Sequence, residues 1–201
     1  MFILNQNKNI DINEGINEEI DNSSVNNNNY LKEIIDIGKS VIIAVIFALL
    51  IINFVFETVS VEGRSMFSTL DNKDRLIVEK VTYYFSKPKP GDIVVIKNPQ
   101  NIKERFIKRV VAVAGDRVKI ENNKLYINDK PKDEIYIHDN IMSDFEEVTV
   151  PKNYVFVLGD NRNNSKDSRM VGSIDLKLVV GKATIRLYPF DKIGGLYKNG
   201  N

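Results

Sequence analysis

The sequence lacks several of the side chains on which enzymes most often rely. Its 201 residues include no cysteine and a single histidine. Without cysteine the chain has no disulfides, thiolate metal sites or cysteine nucleophiles. The one histidine, His138, lies in the irregular segment YIHDN and has no obvious orienting partner there. The formal net charge of +1 provides no strong field that would attract nucleic acid, so we expect no nucleic-acid partner.

The N-terminal segment also lacks a hydrophobic period. Residues 1–30 are rich in asparagine and acidic residues, and their apolar residues follow neither a helical nor a strand repeat. This composition is typical of segments that cannot bury enough apolar surface to fold. We therefore expect residues 1–30 to form a disordered tail.

A long uncharged run follows the tail. SVIIAVIFALLIINFVF, residues 40–56, contains 17 uncharged residues between Lys39 and Glu57. This is the short end of the roughly 17–25 residues that span a bilayer. We predict a membrane anchor over residues 31–60, with its helix at about 38–58. A buried core helix is the alternative, but such helices are rarely apolar on every side in a domain this small. A cleaved signal peptide fits less well because no small-x-small site follows the run.

The rest of the chain is predicted to form short β-strands. Segments such as DIVVIK, RVKIE and YVFVLG are rich in valine and isoleucine, and turn signals such as KPKPG separate them. RVKIE-NN-KLYIN predicts a hairpin with a two-residue turn. We expect an all-β antiparallel domain over residues 61–195, barrel-like or sandwiched, with a small excursion at about 117–150.

One lysine of this domain interrupts an apolar stripe. In the predicted strand ERFIKRVVAVA, period-two alternation places Lys108 on one face with Phe106, Val110 and Ala112. Full burial lowers a lysine pKa by about 3–5 units from roughly 10.4, because the charged form loses its water. The resulting neutral amine is a usable general base near pH 7. The alternative is a lysine near a strand end that reaches solvent.

A serine follows a glycine just beyond the apolar run, in VEGRSMFSTL. Gly63 precedes Ser65 by two residues and permits a tight backbone that exposes the hydroxyl and directs amides at an oxyanion. The hydroxyl needs a base, and a lysine is the recognised alternative to the histidine of a triad. An exposed serine without a function is the other interpretation.

A polar run, GDNRNNSKDSRMVG, lies between two apolar strands. It contains two acid–base pairs of residues two positions apart, with a serine between the pairs: Asp160 with Arg162, Ser165, and Asp167 with Arg169. Such a network fixes a loop and leaves a hydroxyl to orient a neighbouring amine. A solvated loop is the alternative.

Taken in order, these elements resemble bacterial signal peptidase I. An apolar anchor precedes Gly-x-Ser-Met-x-x-Thr-Leu, and FIKRVVAVAGD at 106–116 and GDNRNNSKDSR at 159–169 follow. The similarity runs from about residue 30 to about residue 190. It implies a Ser-Lys endopeptidase that removes signal peptides from secreted precursors after small residues, through an acyl-enzyme intermediate and without a metal or cofactor.

The resemblance also implies roles for individual residues. Ser65 matches the nucleophile, and Lys108 matches the general base. The Ser65 amide matches the oxyanion donor. Some relatives add a hydroxyl side chain two residues earlier, which Gly63 cannot supply. Met66 matches a residue lining the substrate cleft. Five further residues match family positions that support the dyad. Ser165 matches the hydroxyl that orients the lysine, Asp167 and Arg169 match a salt-bridged pair, and Asp160 and Arg162 fall on the same signature.

Two segments depart from the family pattern. Ser68 stands where the family has proline after the nucleophile, and Ala112–Asp116 replaces Gly-Leu-Pro-Gly-Asp. Loss of the fixed proline φ should loosen the turn. Neither change removes a reacting group, but both bear on activity and substrate preference.

The resemblance implies a topology that charge bias does not give. Lysines precede the apolar run, but Arg64, Lys73 and Arg75 follow it, so the distribution of positive charge leaves the orientation open. By analogy, the chain is a single-pass protein of the cell membrane with a cytoplasmic N-terminus and an extracellular catalytic domain. Its expected partners are secretory precursors and membrane lipid, and we expect a monomer.

Two other functions compete with this interpretation. A self-cleaving regulator of the repressor type shares the Ser-Lys fold, but it would carry a DNA-binding helical domain in place of the anchor. A catalytically silent, membrane-anchored β-domain would tolerate substitution of Ser65 and Lys108, whereas a peptidase would tolerate neither.

Overall fold

The computed structural model describes residues 8–137 and 142–197, so His138 lies outside the described part. The chain divides into two compact units, Met1–Ile52 and Asn53–Asn201. One helix, α1, spans Lys8–Val55 and supplies the first unit. Within it, Tyr30–Val55 is long and apolar enough to cross a membrane.

Helix α1 differs from the sequence prediction at both ends. It begins at Lys8, so the backbone of residues 8–30 is helical where the sequence predicts a disordered tail. Adding residues to a formed helix needs little intrinsic preference, because each new residue completes one local hydrogen bond. The predicted end at 58 is also displaced. The helix stops at Val55, because Phe56–Ser60 pairs as a strand with Arg75–Glu79.

The second unit consists mainly of strands. Its larger sheet is built from strands of both halves of the unit: β1 Phe56–Ser60, β2 Arg75–Glu79, β3 Ile93–Asn98, β4 Asn101–Val113, β9 Tyr154–Leu158, β10 Ile174–Asp175, β11 Val179–Tyr188 and β12 Gly194–Gly195. The smaller sheet lies between them in sequence: β5 Arg117–Glu121, β6 Lys124–Ile127, β7 Lys130–Pro131 and β8 Phe145–Thr149. Helices α2 Thr82–Phe85 and α3 Ser168–Val171 are single turns, and two short 3-10 helices cover Leu176–Leu178 and Phe190–Lys192.

All strand pairs of the two sheets are antiparallel, which confirms the predicted fold class. The larger sheet has the order β1-β2-β11-β3-β4-β9-β10, with β12 beside β11, and the smaller has the order β7-β6-β5-β8. The smaller sheet lies within 117–150, where the sequence predicts an excursion. Its hairpin turns at Asn122 and Asn123, both with positive φ, as a two-residue turn requires.

The apolar core surrounds the larger sheet and holds the segment between β1 and β2. Strand β3 is buried on both faces, because Ile93 and Val95 pack into one cluster and Val94 and Ile96 into another. The first of these clusters includes Met66 and Leu70, which are almost fully buried. The segment that carries Ser65 is therefore anchored in the core by apolar side chains on its C-terminal side.

Candidate active site

The loop that carries Ser65 is closed by its own backbone. Val61 N–H donates to Asp74 O and Lys73 N–H donates to Val61 O, each at 2.8 Å. Gly63 has a φ of +83°, the left-handed conformation that its sequence context predicts. Its N–H donates to Asn72 Oδ1 at 3.0 Å, so this amide is occupied within the loop.

Strand β4 brings Lys108 to this loop. Lys108 stands opposite Val94 of β3 in the sheet, and its side chain leaves the strand toward the β1–β2 loop. Its Nζ lies 2.8 Å from Ser65 Oγ, although the two residues are 43 positions apart. The same Nζ donates to the carbonyl oxygen of Ile107 at 3.0 Å. The structure thus places the predicted nucleophile and the predicted base within hydrogen-bond distance.

Burial makes Lys108 easier to deprotonate than an exposed lysine. The residue is 3% exposed, and its Nζ lies 5.1 Å from the centre of the Phe106 ring. Burial lowers the pKa of Lys108 to about 8, against the opposing influence of the Asp167 and Asp160 carboxylates. At pH 7 about a tenth of the amines are therefore neutral, which is enough to accept a proton.

The loop after β9 rests directly on the Ser65 backbone. Asn161 N–H donates to Ser65 O at 3.0 Å. A Cβ at Gly159 would lie 2.4 Å from Ser65 O and 2.2 Å from Ser165 Oγ. Only glycine fits at position 159, because any side chain would push the loop away from the serine.

The ion pairs of this loop differ in part from the predicted ones. Asp167 and Arg169 form a pair, with Arg169 Nη2 2.8 Å from Asp167 Oδ2. Asp167 also accepts a hydrogen bond from Gly159 N–H, which fixes the start of the loop. The predicted pairing of Asp160 with Arg162 is wrong. Arg162 Nε donates to Gly159 O, which directs its guanidinium toward Glu134, 2.6 Å away.

Asp160 instead joins the two segments that carry the serine and the lysine. It accepts two hydrogen bonds from Arg109, the residue after Lys108, at 2.9 and 2.7 Å. Its Oδ2 also accepts from Thr69 Oγ1 at 2.5 Å, four residues beyond Ser65. Sequence reasoning missed Arg109, Thr69 and Glu134. Arg109 and Thr69 lie inside quoted motifs, but Glu134 has no local signal because its partner is 28 positions away.

Ser165 is near the site but makes no bond to the lysine. Its Oγ is buried and has no hydrogen-bond partner within the described residues. The predicted hydrogen bond from Ser165 to Lys108 is thus absent, and Ile107 O takes the second contact of the amine. Ser165 instead packs against Gly159, beneath the Ser65 carbonyl.

An open cleft of about 560 Å³ leads to Ser65 and Lys108. One wall consists of residues 59–62 and the other of residues 103–107, and Met66 lies beside Ser65 at the base. Among residues 8–137 and 142–197, no group of three or more acidic or histidine side chains is placed to hold a metal ion. The hydroxyl-bearing Ser65 and the amine-bearing Lys108 both line this cleft.

Comparison with known proteins identifies the family of the chain. A family model described as signal peptidase, peptidase S26, matches residues 34–188. The chain belongs to the signal peptidase I family. It is 38% identical over 174 residues to signal peptidase I S of Bacillus subtilis strain 168, covering 81% of this chain and 93% of the relative. The family resemblance inferred from the sequence is thereby confirmed, and with it a serine peptidase of the signal peptidase I type.

Two further similar proteins are matched over a smaller part of one of the two chains. Thylakoidal processing peptidase 1, chloroplastic, of Arabidopsis thaliana is 38% identical over 166 residues. That alignment covers 78% of this chain but only 49% of the plant protein, so the chain spans about half the length of that relative. A crystal structure of a signal peptidase I from Enterococcus faecalis V583 is 32% identical, covers 48% of this chain and 97% of the other, and has a TM-score of 0.45.

Proposed function

We propose that Ser65 and Lys108 form the catalytic dyad of a membrane-bound endopeptidase that removes N-terminal signal peptides. The observation that carries this proposal is the 2.8 Å separation of Lys108 Nζ from Ser65 Oγ. It is supported by the burial that lowers the pKa of Lys108 to about 8. A charged lysine at this position can only donate a hydrogen bond to the serine hydroxyl, whereas a neutral lysine can accept the hydroxyl proton.

The proposed reaction has two stages, formation of an ester on Ser65 and its hydrolysis. Neutral Lys108 takes the Ser65 hydroxyl proton as Oγ attacks the scissile carbonyl, and the Ser65 N–H donates to the developing oxyanion. Protonated Lys108 then gives its proton to the leaving amine, which leaves an ester on Ser65. Lys108 next takes a proton from water as the water oxygen attacks the ester carbonyl. It then returns this proton to Ser65 Oγ as the ester C–O bond breaks, which releases the signal peptide and restores the hydroxyl and the neutral amine. Asp160, Thr69 and Arg109 act as positioning residues that hold the two reacting segments together.

The cleft suits an extended peptide. Residues 59–62 and 103–107 form its walls, and both include strand residues that offer backbone groups to an added strand. Side chains of the substrate would then point alternately into the cleft and out of it. Met66 lines the cleft beside Ser65, and we expect it to limit the size of the substrate side chains at positions −1 and −3.

The apolar part of α1 serves in this proposal as a single membrane anchor. The N-terminus is cytoplasmic, the β-rich unit lies outside the cell, and the protein acts as a monomer. Ser65 follows the end of α1 at Val55 by ten residues, so the dyad stays near the bilayer surface. A precursor tethered by its own apolar segment is held in the same layer, which raises the effective concentration of its cleavage site.

The test is cleavage of a purified secretory precursor by the detergent-solubilised full chain. We expect wild type to release a product whose new N-terminus follows a small residue, as read by mass spectrometry. Ser65→Ala should abolish this product. Ser173→Ala is the matched control, since Ser173 lies outside the cleft, and it should cut at the wild-type rate. Equal cleavage by Ser65→Ala and wild type would refute the proposed nucleophile.

A further inference from the structure

Two strand edges face each other across the cleft that leads to Ser65. Strand β1 is the terminal strand of the larger sheet, and β9 joins β4 only from Arg109 onward. Among the described residues, positions 101–108 of β4 therefore have a neighbouring strand, β3, on one edge alone. Four antiparallel pairings separate β1 from β4, so these two strands run parallel. Both unpaired edges can bond to an extended peptide between them.

An ion pair joins these two edges. Arg105 Nη1 of β4 lies 2.5 Å from Glu57 Oε1 of β1, and the side chains are 42% and 33% exposed. The order of the sheet places three strands between β1 and β4, and the two residues are 48 positions apart in the chain. No local pattern in the sequence therefore predicts this pair. Arg105 is also one of the residues that line the cleft.

The ion pair continues the row of apolar side chains on the floor of the cleft. On β1, Glu57 and Val59 are two positions apart and therefore share a face. On β4, Arg105 and Ile107 share a face for the same reason. Val59 and Ile107 both pack against the core cluster that contains Met66. Along the cleft, away from the dyad, the apolar floor thus ends where the charged pair begins.

The membrane anchor of the proposed function gives the direction of the substrate in the cleft. Strand β1 begins at Phe56, directly after the end of α1, so Glu57 marks the end of the cleft nearest in sequence to the apolar helix. The apolar segment of a precursor precedes its cleavage site and lies in the same membrane. The residues before the scissile bond therefore extend from Ser65 toward Glu57 and Arg105, and the peptide lies parallel to β1 and β4.

The alternation of side chains along the bound peptide gives its register. With the scissile carbonyl at Ser65 Oγ, the −1 side chain lies beside Met66. Side chains two positions apart point to the same face and are about 6.6 Å apart. The −3 side chain therefore lies over Val59 and Ile107. The −5 side chain reaches the ion pair, because Arg105 precedes Ile107 by the same two residues.

We propose that Arg105, held by Glu57, forms a subsite for the −5 side chain and selects one with a hydrogen-bond acceptor. The bond to Glu57 engages Nη1, and a guanidinium has five N–H donors, so Arg105 can also donate to a substrate carboxylate or amide oxygen. Leucine at −5 displaces water from the pair without replacing its hydrogen bonds. Lys103 also lines the cleft, and its positive charge disfavours lysine at −5. The inference rests on the proposed function.

The first test measures kcat/KM of the detergent-solubilised full chain on short peptides that differ at one position. All carry alanine at −1 and −3, and the −5 residue is glutamate, glutamine, leucine or lysine. We expect the glutamate and glutamine peptides to be cut about three- to tenfold faster than the other two. The same four residues at −4, where the side chain points out of the cleft, should change kcat/KM by less than about twofold. Equal dependence at both positions, or none at −5, would overturn the proposal.

A variant of Arg105 tests the residue itself. Arg105→Leu should cut the glutamate, glutamine and leucine peptides at similar rates, because the donor to the −5 side chain is gone. An exposed ion pair adds little to stability, so this variant should keep its circular dichroism spectrum. Arg117→Leu is the matched control, since Arg117 is an exposed arginine of the smaller sheet that pairs with Asp129. It should keep the wild-type preference, and the same preference in Arg105→Leu would contradict the assignment.

Exchange of the two charges gives a second test. Arg105→Glu combined with Glu57→Arg retains an ion pair but places the acid on β4, so the lysine peptide should now be cut faster than the glutamate peptide. An unchanged order would overturn the subsite.

Ser65→Ala separates this inference from the proposed function. If wild type and Ser65→Ala cut the peptides equally, or neither cuts them, the dyad is refuted and the subsite with it. If cleavage depends on Ser65 but wild type shows no preference at −5, only the subsite is refuted.

Discussion

The amine of Lys108 titrates in the range where peptidases are assayed, because burial lowers its pKa to about 8. The reactive form is neutral, so kcat/KM should rise with pH and level off above about 8. At pH 7 it should be about a tenth of its plateau value. Initial rates on a short peptide, measured from about pH 6 to about pH 10, give the profile. A rate independent of pH across this range would show that Lys108 is not the base.

Asp160 is the residue whose loss should most weaken the site without removing a reacting group. Its side chain and that of Arg109 are 0% and 8% exposed, so an unpaired charge there has no water to replace its partner. Asp160→Asn should lower the free energy of unfolding by about 3–5 kcal/mol. Chemical denaturation in detergent measures it.

Asp71 supplies the matched control for Asp160. It pairs with Lys192 at 3.4 Å, and both side chains are more than a third exposed. Asp71→Asn should change the free energy of unfolding by no more than about 1 kcal/mol, because exposed pairs contribute little. Similar losses in the two variants would contradict the claim that Asp160 ties the serine segment to β4.

At the scale of elements, the loop after β9 and the serine loop meet at a single glycine. Gly159→Ala would place a methyl group inside contact distance of Ser65 O and Ser165 Oγ, so one of the two loops must move. We expect kcat/KM to fall about a hundredfold, since small displacements of a reacting group have effects of this size.

Gly195→Ala is the matched control, because it tests whether replacing a glycine with alanine lowers activity even where no loop has to move. A Cβ at Gly195 has its nearest neighbour at 4.0 Å. This variant should keep the wild-type kcat/KM on the same peptide. If Gly159→Ala were as active as Gly195→Ala, close contact between the loops would not be needed for catalysis.

Local patterns predicted some of these elements and could not predict their contacts. The burial of Lys108, the left-handed Gly63 and the turn at Asn122 and Asn123 follow from alternation and from turn chemistry over a few residues. The partner of Asp160 does not follow from any local pattern, because it depends on which strands become neighbours in the sheet. A pair two positions apart in sequence suggested Arg162, but the sheet brings Arg109 to Asp160 from 51 positions away.

The end of the anchor helix is a second feature that local sequence patterns could not predict. Its apolar composition predicts a helix to residue 58, and nothing local opposes that reading. Strand β1 forms because Phe56–Ser60 finds the edge of β2, which satisfies backbone groups that the helix would otherwise bond. Phenylalanine, threonine and valine are common in strands, but this preference depends strongly on context, so the tertiary partner decides.

At the scale of the whole molecule, the apolar helix and the peptidase unit should be separable in function. Ile46→Lys combined with Leu50→Lys places two charges within the apolar segment, each costing about 2.5–3.5 kcal/mol at a bilayer centre. The variant should appear in the alkaline extract of membranes, whereas wild type should not. Its cleavage of a short soluble peptide should persist. Retention in the membrane pellet would contradict the assignment of this segment as the span.

Activation of Ser65 by Lys108 is tested by comparing precursor cleavage by wild type, Lys108→Ala and Lys124→Ala in detergent. Lys124 is an exposed lysine of the smaller sheet and controls for loss of charge. We expect Lys124→Ala to cut like wild type, and Lys108→Ala to keep its circular dichroism spectrum but release no product. Cleavage by Lys108→Ala at the wild-type rate would contradict the dyad.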